Sequence, residues 1–273
     1  MGGTEAIAGT HPVREALRAR RRRLVRLRVR EDLERGEIAG ILELARGAGV
    51  PVVREPAAAL RAGLPEGVRD QGVVLEAGPL PELDLEGLQA AAGGTERLLV
   101  ALDGVEDPRN LGALARVAEA AGAAGLVLTR RRAPPLGAVA SRASAGALEH
   151  LAVARVANLR AALATLQEQG FWALGADPDA ETSLWELDDR LLRGDLVVVL
   201  GAEGRGVRPG VAARLDHRVR IPMAGRVAAL NVAAAAAVVL FEAARRRRGA
   251  ESAAQVPGTP GEAPLPGRGG SLS

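Results

Sequence analysis

Leu196–Val207 reads LVVVLGAEGRGV. Its first five residues are apolar and three of them are β-branched valines, the pattern of a short parallel strand covered on both faces. The run passes directly into a loop that holds Gly201, Gly204 and Gly206, with one carboxylate, Glu203, between the first two. Glycines let a backbone turn through positive φ and approach a ligand closely. A buried strand that empties into such a loop is how α/β proteins build ligand sites. The same kind of run recurs at Leu98–Leu102 (LLVAL), Gly125–Thr129 (GLVLT) and Trp172–Ala176 (WALGA), and helical patterns separate the runs. An α/β fold with a parallel sheet covered on both faces is therefore expected.

The bulk composition suits that fold. The chain has 273 residues, 48% of them hydrophobic, so it can bury a large core. With two Phe, two Trp and no Tyr, that core must be built from Leu, Val and Ala. All 36 basic residues are arginine and the formal net charge is +3, but the arginines cluster at Arg18–Arg30, Arg130–Arg132 and Arg245–Arg248. Clusters of this kind are what a polyanion feels. The absence of cysteine excludes disulfides and thiolate metal sites. His11, His150 and His217 show no ligand spacing, so no metal site is expected. No signal-peptide segment and no long uncharged apolar run occur, which predicts a cytoplasmic protein with no membrane association.

Four regions follow along the chain. Residues 1–77 read as a small α/β domain: a helix over HPVREALRAR, an alternating strand over LVRLRVRE, the amphipathic helix IAGILELARGAGV, and the strands PVVRE and GVVLEA. In the first strand Val25, Leu27 and Val29 share one face and Arg26, Arg28 and Arg30 the other. That arginine row is either a solvated sheet face or a face that tracks phosphates. Residues 78–97, rich in Gly, Pro and acids, read as a linker with at most a helical turn. Residues 98–248 form the main α/β domain. Residues 249–273 hold six glycines and four prolines and read as a disordered tail.

Three stretches of the main domain carry chemistry. In Leu102–Leu128 a strand ends, a polar loop follows, and a helix starts near Asn110, a favoured N-cap residue. Leu111, Leu114, Ala115, Ala118 and Ala121 make its buried stripe, and Arg116 points away from it. The second is the glycine loop with Glu203. Its Gly-x-x-Gly-x-Gly spacing is not the dinucleotide fingerprint, and the lysine of a phosphate loop is missing. In the third, a strand over Val219–Ile221 ends at Pro222, and a long alanine-rich helix begins near Ala229. Asn231 sits in that apolar run, where burying an unpaired amide costs roughly 1–3 kcal/mol. Alanines allow close backbone approach, so this helix is expected to pack on a partner subunit.

Read together and in order, DGVEDPRNLGALAR, LGAEGRGV and IPMAGRVAALNVAAAAA resemble the three motifs of the SpoU/TrmH family of RNA ribose 2′-O-methyltransferases, within the SPOUT superfamily. IAGTHPVREAL and RDQGVVLEA resemble the substrate-binding domain of its ribosomal RNA branch, whose members methylate a guanosine of large-subunit ribosomal RNA. The resemblance implies a C-terminal trefoil knot, a homodimer, and S-adenosyl-L-methionine (S-adenosylmethionine) held by Gly201, Ile221 and Leu230. It implies that Asn110, Arg116, Glu203 and Asn231 form the catalytic site, with no metal. Ala229 and Ala233 stand where members commonly carry serine. A transfer RNA substrate, or a non-catalytic RNA-binding or ribosome-assembly module of the same fold, are the alternatives. A Rossmann-type enzyme built on Gly201–Gly206 ranks third, because its loop would follow the first strand.

Overall fold

A computed structural model describes residues 3–226 and 229–254. The first unit contains β1 (Glu5–Ala8), α1 (Thr10–Ala19), β2 (Leu24–Arg30), α2 (Glu37–Gly47), β3 (Val52–Glu55), α3 (Ala57–Arg61) and β4 (Val73–Ala77). Its sheet has the order β1-β4-β2-β3, with β2 and β3 parallel and β4 antiparallel to its two neighbours. Leu27 and Val29 face α1 and α2 in one buried cluster with Val13, Leu17 and Ile41. On the other face the arginines meet acids from neighbouring strands. Arg26 Nε and Nη2 donate to both oxygens of Glu76 at 2.7 and 2.8 Å, and Arg28 Nη2 donates to Glu55 at 2.7 Å. Of the two readings of this row, the pairing supports the solvated face: each of these guanidinium groups already holds a carboxylate.

The expected linker contains a helix of just over two turns and a bridge to the second sheet. Leu83 bridges to the edge of the second sheet, and α4 (Leu85–Ala92) is capped by Asp84, whose Oδ1 accepts the Gly87 N–H at 2.8 Å. Leu88 is fully buried against Leu99, Ala101 and Val127. The glycines and acids suggested a loop, but the four leucines in this stretch had apolar surface to bury.

The second unit contains β5 (Leu98–Asp103), α5 (Pro108–Ala120), β6 (Gly125–Thr129), α6 (Ala138–Ala143), β7 (Ala152–Val156), α7 (Leu159–Glu168), β8 (Trp172–Ala176), α8 (Asp189–Arg193), β9 (Leu196–Gly201), α9 (Pro209–Ala212), β10 (His217–Val219) and α10 (Val232–Ala254). Its six strands lie in the order β10-β8-β9-β5-β6-β7, and every pairing is parallel. Leu98, Val100 and Leu102 pack on one side with α5 and α10, while Leu99 and Ala101 pack on the other with α7 and α4. The chain runs outward from β5 through β6 to β7, returns to β8, and then inserts β9 between β8 and β5. The β5/β9 junction is the point where the winding reverses, the position at which open α/β sheets bind ligands.

Several boundaries differ from expectation. Helix α5 begins at Pro108, with Asp107 as its cap, so Asn110 lies inside the first turn instead of before it. Strand β10 stops at Val219, where its register with Ala176 of β8 ends. Helix α10 starts at Val232, not Ala229, and it continues past Arg248 to Ala254. The rest of the expected tail, residues 255–273, lies outside the described residues.

A buried ion pair ties the two units together. Arg22 donates from Nε and Nη2 to the two oxygens of Glu149 at 3.0 and 2.8 Å, and both side chains are fully buried. A third donor, Nη1, reaches the Gly78 carbonyl at 3.1 Å. Burial pushes the Glu149 carboxyl above its usual range, against the pull of Arg22.

Candidate active site

The site is built by locking the end of β5 to the loop after β9. Asp103 closes β5 and is 1% exposed. Its Oδ2 accepts the Arg208 backbone N–H at 2.8 Å, and its Oδ1 accepts Arg208 Nε at 2.8 Å. The Asp103 hydrogen bond holds the Arg208 guanidinium above its ordinary range. The Asp103 carbonyl also accepts the Ala202 N–H at 3.1 Å. Between these anchors the glycine loop doubles back, with Gly206 N–H donating to the Ala202 carbonyl at 2.9 Å. A Cβ on Gly201 would lie 2.0 Å from the Gly206 carbonyl carbon, so only glycine fits there. Gly204 and Gly206 take φ of +75° and +63°, which glycine adopts without strain.

This tight loop presents Glu203. Its Oε1 accepts from Asn110 Nδ2 at 3.3 Å and from Asn231 Nδ2. The Asn231 amide also reaches Asn110 Oδ1 at 3.4 Å. Three residues remote in sequence, carried by α5, the β9 loop and the start of α10, thus form one polar cluster over the β5/β9 junction. Asn231 is exposed, so the apolar run does not bury its amide. Its Oδ1 accepts the Ala233 N–H at 2.9 Å and caps α10, leaving Nδ2 for Glu203. Arg116 is exposed on α5, about one and two-thirds turns beyond Asn110, and makes no hydrogen bond with the cluster.

Gly201, Ile221 and Leu230 line one cavity of about 420 Å³, which Glu203 and Asp177 also border. Its apolar walls, Leu200, Val219 and Ile221, offer flat contact for a nucleobase, and its carboxylates complement a cation. The volume suits a nucleoside-sized ligand. These features fit S-adenosylmethionine, which carries an adenosine and a positive sulfonium. Asp103 and Arg208 were not singled out from sequence. The available signal was a lone aspartate directly after an apolar strand.

Residues 97–241 match the model of the SpoU rRNA methylase family, and residues 6–83 match that of RNA 2′-O ribose methyltransferase substrate binding. The 23S rRNA (guanosine-2′-O-)-methyltransferase RlmB of Pseudomonas aeruginosa is 37% identical over 85% of this chain and 93% of its own. The RlmB of Xylella fastidiosa (strain 9a5c) is 42% identical over 71% of this chain and 77% of its own. The crystal structure of the SpoU methyltransferase AviRb from Streptomyces viridochromogenes, in complex with AdoMet, superposes with a TM-score of 0.74 at 24% identity, over 90% of this chain and 92% of that one. With both units matched and the fold shared, the chain belongs to the SpoU family and is an S-adenosylmethionine-dependent RNA ribose 2′-O-methyltransferase.

Proposed function

We propose that the protein methylates a guanosine ribose of large-subunit ribosomal RNA, with Asn110, Glu203 and Asn231 holding the reacting sugar and Arg116 its phosphate. The observation that carries this reading is the three-residue polar cluster bordering the cavity of about 420 Å³ at the sheet's reversal point. RlmB relatives that share both units are named for that reaction. Bound in the cavity, S-adenosylmethionine supplies an electrophilic methyl group. A ribose 2′-hydroxyl attacks such a group only in line and as it loses its proton. The two asparagines engage Glu203 Oε1 and fix the carboxylate, while Oε2 has no partner among the described residues and can accept a hydrogen bond from the hydroxyl. Arg116 stays protonated, so its role is electrostatic, gripping the adjacent phosphate and stabilising the alkoxide that develops.

Within one chain Arg116 stands apart from the cluster, and on α10 Phe241 is 46% exposed. Both features support a homodimer in which the partner completes the site, with the segment after β9 threading the family's knot. At position 233 the contact to Asn231 comes from the backbone N–H, which alanine supplies as serine would. Incubation with methyl-labelled cofactor and 23S ribosomal RNA should label one ribose oxygen, located by mass mapping. Label on transfer RNA alone would reassign the substrate, and cofactor binding with no transfer to either RNA would refute catalysis.

A further inference from the structure

The arginine clusters sort into two classes. In the first unit Arg26 and Arg28 hold Glu76 and Glu55. Beyond β6, by contrast, Arg130, Arg131 and Arg132 are all exposed, and none forms an ion pair among the described residues. The loop that carries them is held firmly from below. Arg130 N–H donates to the Val156 carbonyl at 2.9 Å, and the Thr129 hydroxyl donates to the Arg131 carbonyl. Arg155, 11% exposed and paired to Glu82, donates to the Thr129 and Pro134 carbonyls at 3.3 and 2.7 Å. Arg132 takes a φ of +59°, an unfavourable conformation that this framework sustains.

Position gives the loop a purpose. All strands of the second sheet are parallel, so every loop that follows a strand leaves from one edge. Along that edge the loops after β8, β9 and β10 line the cofactor cavity, and the polar cluster comes from the first turn of α5, the loop after β9 and the start of α10. The loop after β6 is next in line on the opposite side from the cavity. Arg130 also borders an open cleft of about 840 Å³ between the two units. The acids of that cleft hold hydrogen bonds of their own: Glu5 with Arg22, which it shares with Glu149, Glu82 with Arg155, and Asp84 with the Gly87 N–H. Of the cleft's two arginines, Arg155 is paired with Glu82, while Arg130 has no ion-pair partner among the described residues.

We propose that Arg130, Arg131 and Arg132 form a pre-set platform for phosphates of the substrate RNA, leading the strand from the cleft between the units to the polar cluster, and that the arginine row of the first sheet does not contact RNA. This rests on the RNA methyltransferase reading above. The test measures affinity for in vitro transcribed 23S ribosomal RNA as a function of salt. Each lost phosphate contact flattens the log–log slope by about 0.7–0.9. The triple variant R130Q/R131Q/R132Q should bind roughly tenfold or more weakly at moderate salt, with a slope shallower by about two, and should keep wild-type S-adenosylmethionine affinity. Each single variant should give about a third of the change, and R130K/R131K/R132K should restore binding, since phosphates attract either cation. R26Q/E76Q should bind RNA as the wild type does. Wild-type affinity and slope in the triple variant, or an equal loss in R26Q/E76Q, would overturn the proposal. A wild-type protein that shows this salt dependence yet transfers no methyl group would refute the catalytic reading alone.

Discussion

Asn231 divides one side chain between two tasks. Its Oδ1 caps α10 and its Nδ2 holds Glu203, which separates a structural from a functional effect in mutants. Asn231→Ala should lose about 1 kcal/mol of stability from the cap, seen as a small drop in Tm, together with a tenfold or larger fall in methyl transfer. Asn231→Asp keeps the cap acceptor but sets a second carboxylate against Glu203, so melting should hold while turnover falls. Arg116→Ala should abolish transfer and leave cofactor affinity intact. Because Arg116 is exposed, its loss should change stability by no more than about 0.5 kcal/mol. Turnover that survives this change removes Arg116 from the site. Glu203→Gln should do less harm, since a neutral amide keeps part of the hydrogen bonding. The residue types of the site were legible in the sequence as polar positions in apolar or glycine-rich runs. The lock between the buried Asp103 and Arg208 was not, since its partners are distant along the chain.

Helix α5 shows how packing overrides local preference. Gly112 sits in its middle, where alanine would favour the helix by about 1 kcal/mol. A Cβ there, however, would lie 2.4 Å from Ala143 Cβ and 2.6 Å from the Ala140 carbonyl oxygen, because α6 crosses in direct contact. Overpacking of this kind costs about 1–3 kcal/mol. Gly112→Ala should therefore lower the unfolding midpoint in urea, against the helix propensity, and an unchanged midpoint would show that α6 yields. On α10, which packs beside α5, Glu242 pairs with two arginines of the same helix, and its carboxyl is drawn down to about 2 by hydrogen bonds from Arg245 and then Arg246. Since this folded value lies below the unfolded one, the contribution is fully present above about pH 4.5 and is lost as the pH falls towards 2. It is bounded at roughly 3 kcal/mol and is smaller because Arg245 is exposed to solvent. Melting curves from pH 5 to pH 3 should fall less steeply in Glu242→Gln than in the wild type. The arginine run at Arg245–Arg248, counted by sequence among the clusters that a polyanion would feel, includes an anchor: Arg246 is 7% exposed and reaches the Leu184 and Trp185 carbonyls.

At the scale of the whole molecule, the Arg22–Glu149 pair sets how the first unit is mounted on the second. Removing one member of a buried pair strands the other, at a cost of about 3–5 kcal/mol. Arg22→Ala should show this loss in urea unfolding, and Arg22→Met/Glu149→Leu should recover most of it by exchanging charge for packing. A double variant no better than the single one would mean that the Gly78 contact matters more than the charge. Apolar runs, glycine stops and alternating faces determined by themselves that the chain makes two α/β units, the larger with a parallel sheet, because periodicity records which sides of an element leave water. The order β10-β8-β9-β5-β6-β7, the pairing of the first sheet's arginines, and the meeting of Asn110, Glu203 and Asn231 were decided only in the tertiary structure. Those features depend on where crossovers return the chain, and a crossover's route is set by the summed packing of both sheet faces, which no local stretch encodes.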